Sequence, residues 1–284
     1  MRLRRPGLLS IYVSLGAYVL PALADPNAPE DPNVPEDPLA VFDGKSDAPD
    51  FNQLNPNYPN GGSMYCVPTS GADGVVWLHD HGYALLPDAS QEETIVNDLA
   101  ALMGTSPTGG TSTSGKVSGM RSYLERYYDS EYITVEAWDA DMWSQAGLEA
   151  SWQRVKERVA RPDTFVLLSG IGFYQGVPVS GTRHCVFLSG YDMTGYEADS
   201  AFDAWIHDPF TGPDSSNDWL AFESRVMPSP TRYYYGAYEF PTYPGYTLDE
   251  LAWTGACSVQ ITPEPMTLSL LLLGGFGVLR RRAG

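Results

Sequence analysis

Three residues of the types that cooperate in nucleophilic catalysis stand out in the sequence: Cys66, His184 and Asp208. Cys66 begins a predicted helix, and a helix N-terminus carries partial positive charge and unpaired N–H groups. The charge favours a thiolate, and the N–H groups can stabilise the oxyanion that forms during acyl transfer. The alternative interpretation of Cys66 is a small buried core residue, which is a common role for cysteine.

His184 and Asp208 have the chemistry and the local positions to complete such a site. His184 lies at the polar start of an apolar predicted strand, and Asp208 ends a second strand just before Pro209. A carboxylate there can hold an imidazole on an adjacent strand in the orientation that a general base needs. The alternative interpretation of Asp208 is the start of a turn, because aspartate often precedes proline in turns.

The other three histidines have simpler predicted roles. His79 and His81 fall at the end of the first predicted helix, where they face solvent or cap the helix. A metal site there lacks a third ligand at a recognisable spacing. His207 is expected to face away from Asp208, because side chains alternate along a strand. The sequence contains no glycine-rich phosphate loop or dinucleotide fingerprint, so we predict neither a metal nor a cofactor.

The predicted elements are mainly helices in the first half of the domain and strands in the second. The predicted helices cover residues 66–81, 91–103, 117–128 and 145–159, and the predicted strands cover residues 132–138, 164–168, 183–189, 204–207, 233–240 and 256–261. This order favours an α+β domain in which a helical half packs against an antiparallel sheet.

Three motifs resemble the papain-like cysteine peptidases, in particular those of the bacteriocin-processing type. The motifs are Tyr65-Cys-Val-Pro-Thr-Ser70, His184-Cys-Val-Phe-Leu-Ser-Gly-Tyr-Asp192 and Ile206-His-Asp-Pro209. The resemblance covers residues 51–212 and implies a papain-like fold, with the cysteine helix in the helical half. It implies Cys66 as nucleophile, His184 as general base and acid, and Asp208 as the residue that orients the imidazole. The implied reaction is hydrolysis of peptide or amide bonds in a peptide or protein substrate.

The sequence departs from this family at two places that affect catalysis. Val67 follows the cysteine where the family has glycine, and a larger side chain there narrows the site. The family also has an oxyanion-stabilising glutamine about six residues before the cysteine, where this chain has Asn60. Gln53 is the other candidate, thirteen residues before Cys66. Loss of one oxyanion donor lowers rates about 100- to 1000-fold.

Two other functions therefore stand beside the peptidase. The alternative from a different class is a catalytically inactive papain-like protein that binds ligands at the cell surface or in the matrix, because a fold alone does not guarantee function. An amidase or transglutaminase acting on cell-surface polymers would use the same Cys–His–Asp chemistry with another acceptor.

The N-terminus of the chain has the layout of a secretory signal peptide. Basic residues at the start are followed by the apolar run Leu8–Leu20 and by Ala22-Leu-Ala24, a pattern that signal peptidase accepts. We predict that residues 1–24 are the signal peptide. The alternative is a membrane anchor, although the apolar run is shorter than the roughly 20 residues that span a bilayer.

The C-terminus resembles the PEP-CTERM sorting signal of Gram-negative bacteria. Pro263-Glu-Pro265 is followed by the apolar run Met266–Leu279 and by the basic cluster Arg280–Arg282. The resemblance implies that residues 263–284 associate transiently with the membrane and are processed by an exosortase. A plain C-terminal anchor with its basic end in the cytoplasm is the alternative. Both interpretations predict an exported protein in the periplasm, at the cell surface or outside the cell.

Composition narrows the function of the segment between these ends. Residues 25–50 are rich in proline and acidic residues and are predicted to be an extended linker, which leaves residues 51–262 as one domain. The chain has a formal net charge of −18, which argues against a nucleic-acid partner. Three cysteines leave at least one thiol unpaired. Cys185 and Cys257 can form a disulfide if their strands are neighbours; otherwise all three thiols are free.

Overall fold

A computed structural model describes residues 41–174, 177–192, 202–210, 219–228, 231–237 and 250–262 of the chain. The predicted signal peptide, most of the predicted linker and the predicted sorting tail lie outside these residues. Within the described ranges, no helix is both long and apolar enough to cross a membrane.

Helices and strands in the described residues form a mixed α+β structure, which confirms the predicted class. The helices are α1 (Cys66–Asp80), α2 (Glu92–Met103), α3 (Thr113–Leu124) and α4 (Gln145–Val159). The strands are β1 (Val41–Asp43), β2 (Ile133–Asp139), β3 (Thr164–Tyr174), β4 (Val177–Asp192), β5 (Phe202–His207), β6 (Trp219–Pro228), β7 (Thr231–Ala237) and β8 (Glu250–Ile261).

Three of the four helix predictions hold, and the prediction for α3 is displaced by four residues at both ends. Helices α1, α2 and α4 begin and end within one residue of the predicted bounds. Helix α3 begins four residues earlier than predicted, because Ser112 caps it and accepts a hydrogen bond from the Gly115 N–H at 3.0 Å. The earlier start brings Lys116 into the first turns of this helix.

The strands pair only in antiparallel fashion within the described residues, and they curl into a ring. The order is β1-β4-β3-β8-β7-β6-β5, with β2 beside β8. Since β5 also pairs with β4, the six strands β3 to β8 close on themselves. The sequence predicts five of these strands but not β6.

Alternating side chains give the curled sheet two apolar faces. On β3, Val166 and Leu168 belong to a buried cluster with α4 and the neighbouring strands of the ring. Phe165 and Leu167 belong to a second cluster, with helices α1, α2 and α3. The helical layer therefore packs on the outer face of β3, β4 and β8, as expected for strands that are buried on both sides.

Helix α1 lies very close to the sheet, and small residues make this possible. A Cβ atom added at Gly74 would stand 2.4 Å from the Phe165 ring. Ser70 donates a hydrogen bond from its hydroxyl to the carbonyl of Cys185 at 3.1 Å. The buried Asp73 carboxyl group accepts a hydrogen bond from the Phe51 N–H at 3.0 Å. These contacts hold the cysteine helix against β3, β4 and the loop that contains Phe51.

Residues 41–50, which the sequence assigns to the linker, belong to the folded domain. Strand β1 pairs with the end of β4, from Val41 opposite Asp192. Lys45 is 1% exposed, and its ammonium donates to the Arg161 carbonyl at 3.1 Å and lies 3.7 Å from the Trp77 ring centre. Burial lowers the pKa of Lys45 to about 7. The prediction that residues 41–50 belong to a linker is therefore wrong. The contacts of β1 and Lys45 are made with residues far away in the sequence, so the local composition did not reveal them.

Candidate active site

The first turn of α1 presents Cys66 together with free backbone donors. Cys66 is the first residue of the helix, and the preceding Tyr65 makes no side-chain cap. First-turn N–H groups have no acceptor within a helix, and Pro68 has no N–H to offer. Neither Cys66 nor Val67 donates to a loop or turn carbonyl in the described residues. Their two N–H groups lie at the helix start, where both residues line the cavity described below.

His184 and Asp208 form a buried pair, because β4 and β5 are neighbours. The register places Phe187 opposite His207, so Asp208, the next residue of the chain, lies diagonally across from His184 on the same face of the sheet. The Nε2 atom of His184 lies 2.7 Å from Oδ1 of Asp208, and the two side chains are 0% and 1% exposed. The same Oδ1 accepts the Phe210 N–H at 2.9 Å. Two donors therefore hold the carboxylate in place.

Cys66 lies close enough to the imidazole of His184 to raise its pKa. Because Nε2 is engaged by Asp208, Nδ1 is the nitrogen left for the thiol. Burial alone lowers the pKa of His184, but the charge and hydrogen bond of Asp208, together with the contact to Cys66, outweigh burial and raise it to about 10. An imidazolium is therefore favoured at neutral pH, between a carboxylate and a sulfur. The structure thus brings Cys66, His184 and Asp208 together.

A cavity of about 530 Å³ opens beside Cys66 and His184. It lies between the start of α1, the start of α3 and the strands β3, β4 and β8. Asp208 is not in its wall and supports His184 from behind. A volume of this size is in the range of small-molecule sites. A reacting group in the cavity would therefore meet the sulfur and the imidazole from the same side.

The two residues predicted as oxyanion donors have their amide hydrogens engaged elsewhere. Asn60 donates from Nδ2 to the Ser63 hydroxyl at 2.7 Å and to the Pro107 carbonyl at 3.1 Å. Gln53 is fully buried and donates from Nε2 to the carbonyls of Gly62 and Ser63 at 3.2 and 3.4 Å. In this structure both amides shape the loop before Cys66, and the Gln53 N–H donates to the Pro209 carbonyl at 2.6 Å.

The other two cysteines are buried free thiols. Strand β3 separates the strands of Cys185 and Cys257, and neither forms a disulfide. Burial raises the pKa of Cys185 to about 12 and that of Cys257 to about 11. Cys185 belongs to the cluster under the helices, on the face that strand alternation predicts. At neutral pH these two thiols stay protonated.

The remaining histidines have structural partners. His81 follows α1, and its Nδ1 lies 2.8 Å from the Trp77 carbonyl, which confirms the predicted capping role. Nδ1 of His79 lies 2.6 Å from the Leu86 carbonyl, and Nδ1 of His207 lies 3.0 Å from the Pro49 carbonyl. In the part of the chain that the structure describes, no group of three His, Cys, Asp or Glu residues is placed to hold a metal ion.

The sequence did not point to Lys116 or Ser169, which both line the cavity. The Lys116 ammonium donates to the Ser169 hydroxyl at 2.8 Å. The one signal in the sequence was that lysine is rare, since the chain has only three lysines. Ser169 lies in β3 beyond the predicted end of that strand, so its position in the site depends on the longer pairing with β4.

The loop before Cys66 should be sensitive to substitution at Gly62. Gly62 has a φ of +75°, and an added Cβ would stand 1.5 Å from the Gln53 carbonyl oxygen. We expect Gly62→Ala to lower the free energy of unfolding by about 1–2 kcal/mol for the backbone conformation. The clash should add about 1–3 kcal/mol. Urea unfolding measures the loss.

Gly61→Ala is the matched control for this prediction. Gly61 has a similar φ of +59°, but nothing lies within 4 Å of an added Cβ. Gly61→Ala should therefore lower the free energy of unfolding only by the cost of the backbone conformation. Equal destabilisation by the two substitutions would contradict the role assigned to the Gly62–Gln53 contact.

No family model matches the sequence, and no curated protein matches it. A function for this chain is therefore inferred from its own residues and geometry.

Proposed function

We propose that this chain is an exported papain-like cysteine peptidase that hydrolyses peptide or amide bonds through Cys66, His184 and Asp208. The observation that carries the proposal is the buried hydrogen bond between Asp208 and His184, with Cys66 beside the same imidazole in the wall of a cavity. Nucleophile, base and orienting carboxylate in this order form the arrangement used in covalent acyl transfer.

The proposed reaction proceeds through a thioester. The Cys66 thiolate attacks the substrate carbonyl carbon, and the oxyanion binds at the N–H groups of Cys66 and Val67. The His184 imidazolium transfers a proton from Nδ1 to the leaving amine as the C–N bond breaks. Water then attacks the thioester, and Nδ1 of His184 accepts its proton. Release of the acid regenerates the thiolate and the imidazolium.

The layered architecture supports a papain-like arrangement. Helix α1 begins at the nucleophile, and the base lies on a strand of the antiparallel ring on which this helix packs. The cavity opens where the helical layer meets the strands. A site built from two layers can place the nucleophile and the base on rigid elements with independent supports.

We propose that the two ends of the chain direct it out of the cytoplasm. The sequence pattern of residues 1–24 supports cleavage by signal peptidase, and that of residues 263–284 supports processing by an exosortase. The mature protein would then meet peptide or protein substrates in the periplasm, at the cell surface or outside the cell. No cofactor is required by this reaction.

Thiol alkylation tests the proposed function without a known substrate. Iodoacetamide should label Cys66 quickly below pH 7 in the purified wild-type protein, with labelling mapped by mass spectrometry from pH 4 to 9. His184→Ala should abolish the fast phase, because the imidazolium that stabilises the thiolate is gone. His79→Ala, at the opposite end of α1, should keep it. Slow labelling that follows an ordinary thiol pKa of about 8.5 and ignores His184→Ala would overturn the proposal.

The second candidate function is a papain-like binding protein without activity. The specific observation in its favour is that the amide hydrogens of Asn60 and Gln53 are bonded elsewhere, so neither predicted side-chain donor reaches the oxyanion. The Val67 side chain also lines the cavity. The same alkylation experiment separates the two functions, because a binding protein does not need an ionised Cys66.

A further inference from the structure

Lys116 is a buried cation in the wall of the cavity. It is 5% exposed, and its ammonium donates to the neutral Ser169 hydroxyl at 2.8 Å. Among the described residues, no carboxylate forms an ion pair with it. A buried charge without a counter-ion is costly, and pairing with an opposite charge reduces the cost. Lys116 is therefore poised to receive an anionic group.

The surroundings of Lys116 also favour an anion. The charged residues in the cavity wall besides His184 are Lys116, Arg183 and Asp139; Arg183 and Asp139 are exposed, so Lys116 is the buried charge among these three. The start of α3 lines the same cavity, and helix N-termini favour negative charge. The site is thus richer in positive charge than the chain as a whole, whose net charge is −18.

We propose that Lys116 binds a carboxylate of the substrate beside the bond that Cys66 attacks. This inference rests on the proposed peptidase function and names its substrate class, which is peptides with a negatively charged group near the scissile bond. The carboxylate can come from a free C-terminus or from an acidic side chain, and both sources offer the same two oxygens to the ammonium. Lys116 then selects the substrate and takes no part in bond breaking.

Two alkylating reagents of nearly equal size test this inference. Iodoacetate carries a carboxylate and iodoacetamide carries the neutral amide, so the ratio of their rates at Cys66 reports the charge preference of the cavity. Lys116→Met should lower the iodoacetate-to-iodoacetamide ratio about tenfold, the effect of a hydrogen bond to a charged group. Lys116→Arg should lower this ratio only slightly, because it retains the positive charge.

Lys156→Met is the matched control. Lys156 is also a helical lysine that is buried, 8% exposed, but it does not line the cavity. Removing this charge should leave the ratio unchanged, whereas a general effect of net charge would lower it as much as Lys116→Met does. Circular dichroism establishes that each variant is folded before labelling.

Peptide pairs identify the source of the carboxylate and need only the wild-type protein. A short peptide with a free C-terminus should protect Cys66 from iodoacetamide at about tenfold lower concentration than its C-terminal amide if the α-carboxylate binds. A Glu-containing amidated peptide should outperform its Gln counterpart if an acidic side chain binds. Equal protection within both pairs would overturn the inference.

The outcomes separate the inference from the function on which it rests. Fast, His184-dependent labelling with an unchanged reagent ratio in Lys116→Met would reject the carboxylate site and leave the peptidase proposal standing. Inertness of Cys66 toward both reagents would reject the peptidase proposal, and the substrate inference with it.

Discussion

Replacing Cys66 with serine should lower kcat for hydrolysis of a protein substrate by about a millionfold, the usual effect of removing a catalytic nucleophile. The serine hydroxyl is nearly isosteric, but it does not ionise beside an imidazolium at neutral pH. The fold should survive, because Cys66 occupies the first position of α1 and makes no disulfide. Release of dye from fluorescently labelled casein by the purified mature protein measures the loss.

The other two thiols provide matched controls for this prediction. Cys185→Ala and Cys257→Ala each remove a buried sulfur and should cost stability, but they leave the series from Asp208 to Cys66 intact. Hydrolysis by these folded variants should stay within a few-fold of wild type. If a folded Cys185→Ala protein lost as much activity as Cys66→Ser, the assignment of Cys66 as the nucleophile would be contradicted.

Asp208→Ala should lower the free energy of unfolding by about 3–5 kcal/mol, because it leaves a buried imidazolium without its counter-ion. The pair is almost completely shielded from water, with the side chains 0% and 1% exposed. Asp208→Asn should cost less. Its amide oxygen can still accept from His184 and from the Phe210 N–H, the two donors that meet at Oδ1 in the wild type. Urea unfolding at pH 6.5 measures both variants.

The cost of Asp208→Asn should also depend on pH, in a direction set by His184. Its pKa is raised in the folded protein from 6.5 to about 10. A raised histidine pKa contributes stability that is fully present below about pH 6.5 and is lost as the pH rises toward 10. The stability difference between wild type and Asp208→Asn should therefore be large at pH 6.5 and shrink by pH 10. A stability difference that stays constant from pH 6.5 to pH 10 would contradict an ion pair between Asp208 and His184.

Features that depend on near neighbours in sequence could be predicted from the sequence. Helix α4 begins at Gln145 and ends at Val159 as predicted, because Ser144 caps it and its apolar residues recur with helical spacing. The position of Cys66 at a helix start was predicted for the same kind of reason, since Pro68 suits a first turn. The local sequence of a long helix with clear caps therefore contains most of the information needed to predict that helix.

Strand lengths were harder to predict, because strands depend on partners elsewhere in the chain. The sequence predicts a strand over residues 164–168, whereas β3 continues to Tyr174 through Gly170 and Gly172. Glycine in a strand resembles a turn signal. Here β4 and β8 pair with β3 on its two sides along most of its length, which keeps the glycine-containing half extended.

The sequence by itself determined the residue types of the candidate site, the helix that presents Cys66 and the separation of helices from strands. Only the tertiary structure decided that Asp208 reaches His184, that β3 separates Cys185 from Cys257, and that Lys116 enters the cavity. Tertiary contacts also decided that Gln53 braces the loop before Cys66. The physical reason is range: helix capping and periodicity act over a few residues, whereas strand pairing and buried polar contacts join residues that are far apart in sequence.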